Sequence, residues 1–143
     1  MCWTYPFCVA MIETYKEFTF EAAHKLQPFS GLHGHSFKVR IYLQGPPDDV
    51  FGWPANLYKV EPEIGIIQNM LDHKYLNDIQ GLSVPSLENI ATWIWERLKP
   101  RCPELVRITV ARGAEGQAEG CVYSGNRVDD ETAEETYLAP IST

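Results

Sequence analysis

Over residues 18–22 and again over 37–43, apolar side chains recur at every second position. Phe18, Phe20 and Ala22 fall on one side of an extended chain, and Phe37, Val39, Ile41 and Leu43 on one side of a second, because successive side chains of a strand point to opposite faces. Ser36, Lys38, Arg40 and Tyr42 take the other face of the second run. The pattern predicts a strand from about Met11 to His24, a turn-rich link over Gln27-Pro28-Phe29-Ser30-Gly31, and a second strand from about Ser36 to Gln44. Gly45-Pro46-Pro47 ends it, since adjacent prolines cannot join a ladder. Gly52 to Tyr58 reads as a connecting segment.

The period then becomes helical. Glu61-Pro62 reads as a helix start, with proline in the first turn, and Ile64, Ile67 and Leu71 form its buried stripe. Pro85-Ser86 opens a second helix with Ser86 as N-cap. Its apolar face is Ile90, Trp93, Ile94 and Leu98, and Pro100 and Pro103 stop it. Val106, Ile108 and Val110 alternate with Arg107, Thr109 and Ala111 in a third strand, and Cys121-Val122-Tyr123 is a fourth. The order strand, strand, helix, helix, strand, strand predicts an α+β domain, a four-stranded antiparallel sheet with two helices on one face.

The apolar faces of the first two strands also carry three of the four histidines. His24 continues the side of Phe20 and Ala22, and His33 and His35 precede Phe37 on the matching side. A short turn brings His24 close to the other two. For any one of these residues a core position satisfied by backbone carbonyls is the ordinary reading. For three on one face, at H-x8-H-x-H spacing, a zinc site with an open fourth position is the better one, and such a site polarises a bound oxygen.

Composition narrows the class. A chain of 143 residues with 45% hydrophobic and 22% charged residues has the makeup of one soluble domain with a real core. The formal net charge is −7. Residues 127–143 hold Arg127 against Asp129, Asp130, Glu131, Glu134 and Glu135, so this stretch carries −4 of it. No basic face for a nucleic-acid backbone is expected. Residues 1–126 are expected to make a single domain, and the acidic tail 127–143, without periodicity, to be loosely ordered. Cys2, Cys8, Cys102 and Cys121 lack C-x-x-C spacing and are expected to be reduced thiols in a cytoplasm. No apolar run reaches membrane-spanning length. Residues 1–11 are apolar but lack the basic start of a secretion signal; either Met11 is the native start or the segment packs as an extra edge.

Phe20-Glu21-Ala22-Ala23-His24-Lys25-Leu26 followed by Leu32-His33-Gly34-His35-Ser36-Phe37 resembles the 6-pyruvoyl-tetrahydropterin synthase family, nearest its bacterial 6-carboxytetrahydropterin synthase branch of queuosine biosynthesis. The likeness continues through Leu71-Asp72-His73, Pro85-Ser86-Leu87-Glu88-Asn89, Trp93-Ile94-Trp95 and Gly120-Cys121-Val122-Tyr123, over about residues 15 to 126. The resemblance implies the tunnelling fold, in which sheets join edge to edge as a trimer and trimers stack as a hexamer. Closure would remove the open sheet edges. It implies Zn2+ on His24, His33 and His35, and Asp72-His73 as a proton relay, a task that suits an imidazole titrating near neutrality. The local alternative for that pair is a helix end, with Asp72 capping and His73 meeting the helix dipole.

The sequence also departs from the family pattern. The family cysteine stands four residues before the first histidine of H-G-H, and that position is Phe29 here. Cys121 lies near the closing motif instead. The glutamate that anchors the pterin ring in the family aligns with Arg112, leaving Glu115 to reach the pocket if the loop shifts. The family's Asp-Phe in the connecting segment is Asn56-Leu57. Ser86 replaces the usual threonine and keeps a hydroxyl. Lys25, next to the first histidine, is either a phosphate contact or solvated surface.

The expected activity is therefore that of a zinc-dependent carbon-oxygen/carbon-carbon lyase of the pterin synthase family, acting on 7,8-dihydroneopterin triphosphate or a close analogue. Asp72 and His73 would be catalytic, Glu115 and Ser86 substrate-binding, and no nucleic acid or membrane partner is expected. Two other readings stand beside it. One is a diverged paralogue with the same zinc site and another small polar substrate. The other is a non-catalytic zinc or metabolite-binding module.

Overall fold

A computed structural model of the chain describes residues 10–125. The acidic tail and most of the apolar N-terminal segment, on which the expectations of loose order and an extra edge fall, lie outside the described residues. Strand β1 (Ile12–Leu26) and strand β2 (Ser30–Gly45) form a long antiparallel hairpin. Helix α1 (Leu57–Leu71) follows, then the two-residue strand β3 (Lys74–Tyr75), a 3₁₀ turn at Leu76–Asp78, helix α2 (Leu87–Leu98), and strands β4 (Leu105–Arg112) and β5 (Glu119–Tyr123). The sheet order is β3-β1-β2-β4-β5.

The architecture is the expected α+β one, with one strand more than the sequence pattern predicts. Strand β3 pairs in parallel with β1 at Ala22 and Ala23, so the sheet is five-stranded and mixed at one edge. Helix α1 also begins earlier than Glu61. Asn56 caps it by accepting from the Tyr58 amide at 3.0 Å, and Pro62 lies inside the helix. Leu57 packs against the core and Val60 is buried, so the apolar stripe already runs through the added turn.

Both helices cover the sheet face that carries Phe18, Phe20, Phe37, Val39, Ile41, Ile108 and Val110, and all of these are buried. Ile64, Ile67 and Leu71 of α1 and Ile90, Trp93, Ile94 and Leu98 of α2 close the same core. Each large side chain so removed from water contributes roughly 2 kcal/mol. The opposite face is polar, with Arg40 on Glu17 at 2.6 Å and Tyr15 beside Tyr42. Among the described residues, β5 and the Ile12–Glu21 part of β1 have no outer strand partner. No described helix is long and apolar enough to cross a membrane.

Candidate metal centre

The β1–β2 register sets the three histidines. His24 and His33 are direct cross-strand partners, and His35 stands opposite Ala22, two positions along the same face. Directly opposite side chains on an antiparallel pair meet, and diagonal ones come within reach of ring-sized groups. The His24–His33 and His33–His35 ring centroids are both 4.6 Å apart, and the His24–His35 pair 5.2 Å. One ring nitrogen from each residue lies within 4.8 Å of the others. Phe37 floors the cluster edge-on, at 5.6 Å from His24 and from His35.

Two of the rings are locked from behind. His24 Nδ1 donates to the Pro85 carbonyl at 2.8 Å, and His33 Nδ1 to the Gly31 carbonyl at 2.7 Å. A carbonyl only accepts, so the single proton of each neutral imidazole is on Nδ1 and each Nε2 presents a lone pair. Those two Nε2 atoms face each other at 3.1 Å. Two lone pairs so placed call for a positive species between them, and backbone-anchored imidazoles are the usual way a protein aims metal ligands. The donor set therefore fits a zinc-type ion. Burial lowers the basicity of His24 and His35, and the charge of Arg112 adds to the effect on both. Both rings therefore stay neutral near pH 7, the form that ligates.

Asn77, to which the sequence pattern gave no role, braces the far end of β1. Its amide donates to the Lys25 carbonyl at 2.9 Å and its oxygen accepts from the Lys25 amide at 3.0 Å. It continues β3 as a side-chain surrogate for a strand, and it fixes the residue next to His24.

Asp72 and His73 sit at the end of α1. Asp72 is the C-cap, and one carboxylate oxygen accepts from the Glu21 amide at 2.9 Å while the other meets His73 Nδ1 at 2.9 Å. The Glu21 amide first, and then His73, hold the Asp72 carboxyl below the usual carboxylate range. The His73 ring is 80% exposed and lines a shallow cavity of about 620 Å³ that also touches Gly34, His35 and Ser36. Both the local cap and the contact between Asp72 and the His73 ring are thus present together.

The remaining expected residues divide. Ser86 caps α2 through the Asn89 amide at 3.2 Å and also lines a cleft of about 270 Å³ beside His24. Glu115 is exposed in the loop between β4 and β5, and the clefts beside the histidines are lined instead by Glu119. Glu119 pairs with Arg112 in the β4–β5 register and its carboxylate binds the Arg112 side chain. Arg112 in turn donates to His35 Nε2 at 2.9 Å. Phe29 is 92% exposed and lines another cleft, of about 460 Å³, with His33, His35 and Arg112. Neither described cysteine is a thiolate there. Burial, then Glu104, push the Cys102 thiol up to about 11, and burial with Glu88 raises that of Cys121.

The chain is similar to known proteins in sequence and in fold. The sequence model of a family described as 6-pyruvoyl tetrahydropterin synthase matches residues 13–126. A 6-carboxy-5,6,7,8-tetrahydropterin synthase of Synechocystis is 39% identical over 97 residues, which are 59% of this chain and 73% of that protein. A dihydroneopterin monophosphate aldolase of Pyrococcus furiosus is 32% identical over 102 residues, 68% of this chain and 86% of the relative. The structure of the Caenorhabditis elegans 6-pyruvoyl tetrahydropterin synthase superposes with a TM-score of 0.73 at 22% identity, over 84% of this chain and 99% of the other, a likeness of fold.

Proposed function

The chain belongs to the 6-pyruvoyl tetrahydropterin synthase family, and from that premise we propose that it is a zinc-dependent lyase acting on the side chain of 7,8-dihydroneopterin triphosphate or a close analogue, as a 6-carboxy-5,6,7,8-tetrahydropterin synthase does. The observation that carries the reading is the pair of imidazole lone pairs at 3.1 Å, each locked by a backbone carbonyl. His24, His33 and His35 would hold the ion. Zinc bound there supplies Lewis-acid polarisation of a substrate oxygen.

The chain's own groups account for the rest. The Asp72 carboxylate orients the His73 ring through Nδ1, leaving Nε2 to take or give a proton. The exposure of that ring leaves it accessible to substrate, and closure of the open sheet edges in a homo-oligomer, a trimer or hexamer, would shield the cavity it lines. Ser86 presents a hydroxyl at the cleft beside His24. Glu115 would take part only from its loop.

A second reading is favoured by one observation. The cleft at Phe29 and Arg112 has no thiolate, and the carboxylate that lines it, Glu119, is held by Arg112, which suits a diverged paralogue with another small polar substrate. Incubating zinc-loaded protein with 7,8-dihydroneopterin triphosphate tests the main reading. Release of tripolyphosphate with a shortened or rearranged side chain is expected, and intact substrate after exhaustive incubation refutes it. Tight binding of a non-pterin metabolite would then establish the second reading.

A further inference from the structure

We propose that Arg112 is an anion-binding residue of the metal site, released for that task when the histidines take up their ion; this rests on the metal reading above. The guanidinium is held on two sides. Its Nε and Nη2 both donate to Glu119 Oε1, the first at 2.7 Å. Its Nη1 donates to His35 Nε2 at 2.9 Å. Arginine has five N–H groups and no acceptor, so His35 Nε2 must offer its lone pair to this bond.

That lone pair is the one a metal needs. Ligation through Nε2 takes it outright. Ligation through Nδ1 would move the ring proton to Nε2, where it would face a guanidinium N–H. Either way the bond from Arg112 to His35 breaks when His35 binds a metal. The salt bridge to Glu119 does not break, because it uses the other two nitrogens. The side chain therefore stays where it is, with Nη1 unpaired.

Arg112 lines two of the clefts beside the cluster, the one with Phe29 and His33 and the one with His24 and Ser86. Glu119 offsets its charge, and the exposed Glu88 stands on the rim of the second cleft. With a dication added, the site carries an excess of positive charge and one free, fixed donor. The matching ligand is an oxyanion of the substrate, a phosphate or a carboxylate, since guanidinium bonds to such groups are short and strong. A neutral amino-pyrimidinone edge offers N–H donors and does not match.

Zinc affinity, measured by chelator competition, and calorimetric titration of the zinc-loaded protein with inorganic phosphate and with glycolate test the proposal. R112Q is expected to bind zinc about tenfold more tightly and phosphate or glycolate about tenfold more weakly, each a change of one hydrogen bond to a charged group. E119Q is expected to weaken zinc binding, and R112K to keep part of the anion affinity. Preference for phosphate over glycolate identifies the substrate group as a phosphate, and the reverse as a carboxylate. Zinc uptake and anion binding unchanged in a folded R112Q overturn the proposal alone. Wild-type protein that takes up no zinc overturns the metal reading and this proposal with it.

Discussion

His73 meets Asp72 through a 2.9 Å contact between its Nδ1 and a carboxylate oxygen, and it does so from a left-handed backbone with φ of 57°. Among the described residues it is the only non-glycine with positive φ. Such a conformation costs a side-chain-bearing residue roughly 1 kcal/mol. Glycine would occupy that turn without strain. His73→Gly is therefore expected to keep or raise the melting temperature, by up to a few degrees, while abolishing turnover. His73→Ala is expected to lose turnover without the gain in stability. Full activity in His73→Gly would show that the ring only ends a helix.

Protons compete with the fold at the histidine cluster. His24 and His35 titrate below their ordinary value of 6.5 in the folded chain, so the unfolded chain binds more protons as pH falls through 6.5. The stability they contribute is complete above that pH and is lost on acidification toward the lowered folded values. The melting temperature of metal-free protein is expected to drop between pH 7 and pH 5, and less so in His24→Phe. A flat profile over that range contradicts the burial argument.

The thiols are expected to be spectators. Both described cysteines hold their protons at neutral pH, and nucleophilic or basic chemistry needs the thiolate. Cys121→Ser should keep turnover within about twofold, and Cys102→Ser should cost about 1–2 kcal/mol of stability, as burial of a hydroxyl in an apolar site does. Loss of turnover in a stable Cys121→Ser would relocate the chemistry to β5.

Ser86 serves a cap and borders a cleft, and the two roles separate by measurement. Ser86→Ala is expected to lower stability by about 1 kcal/mol through the freed Asn89 amide. Ser86→Asp should restore the cap. If the hydroxyl also contacts substrate, Asp will recover the melting temperature but leave KM raised.

Much of this was legible because side-chain period and face are local. Alternation gave the β1–β2 hairpin and β4, helical spacing gave the stripes of α1 and α2, and the shared face of His24, His33 and His35 gave the cluster. What escaped has a physical reason in each case. Strand β3 is two residues long, too short for any period. Asn56 caps α1 well over a turn before Pro62, and proline hid that start because it is also at home in a first turn. Asn77 acts through bonds to a backbone it meets only in three dimensions. The Arg112–Glu119 pair depends on the β4–β5 register, which the intervening glycine-rich loop leaves open in the sequence, and so Glu119 drew no attention there.

One measurement bears most directly on the central claim, that three imidazoles on one hairpin face hold a divalent ion. Elemental analysis of protein purified without chelator, beside His33→Ala prepared identically, should find close to one zinc per chain in the first and at least about a hundredfold weaker retention in the second, as removal of one ligand of three implies. Metal-free wild-type protein that takes up no zinc on titration, with His33→Ala unchanged in stability, would contradict the account.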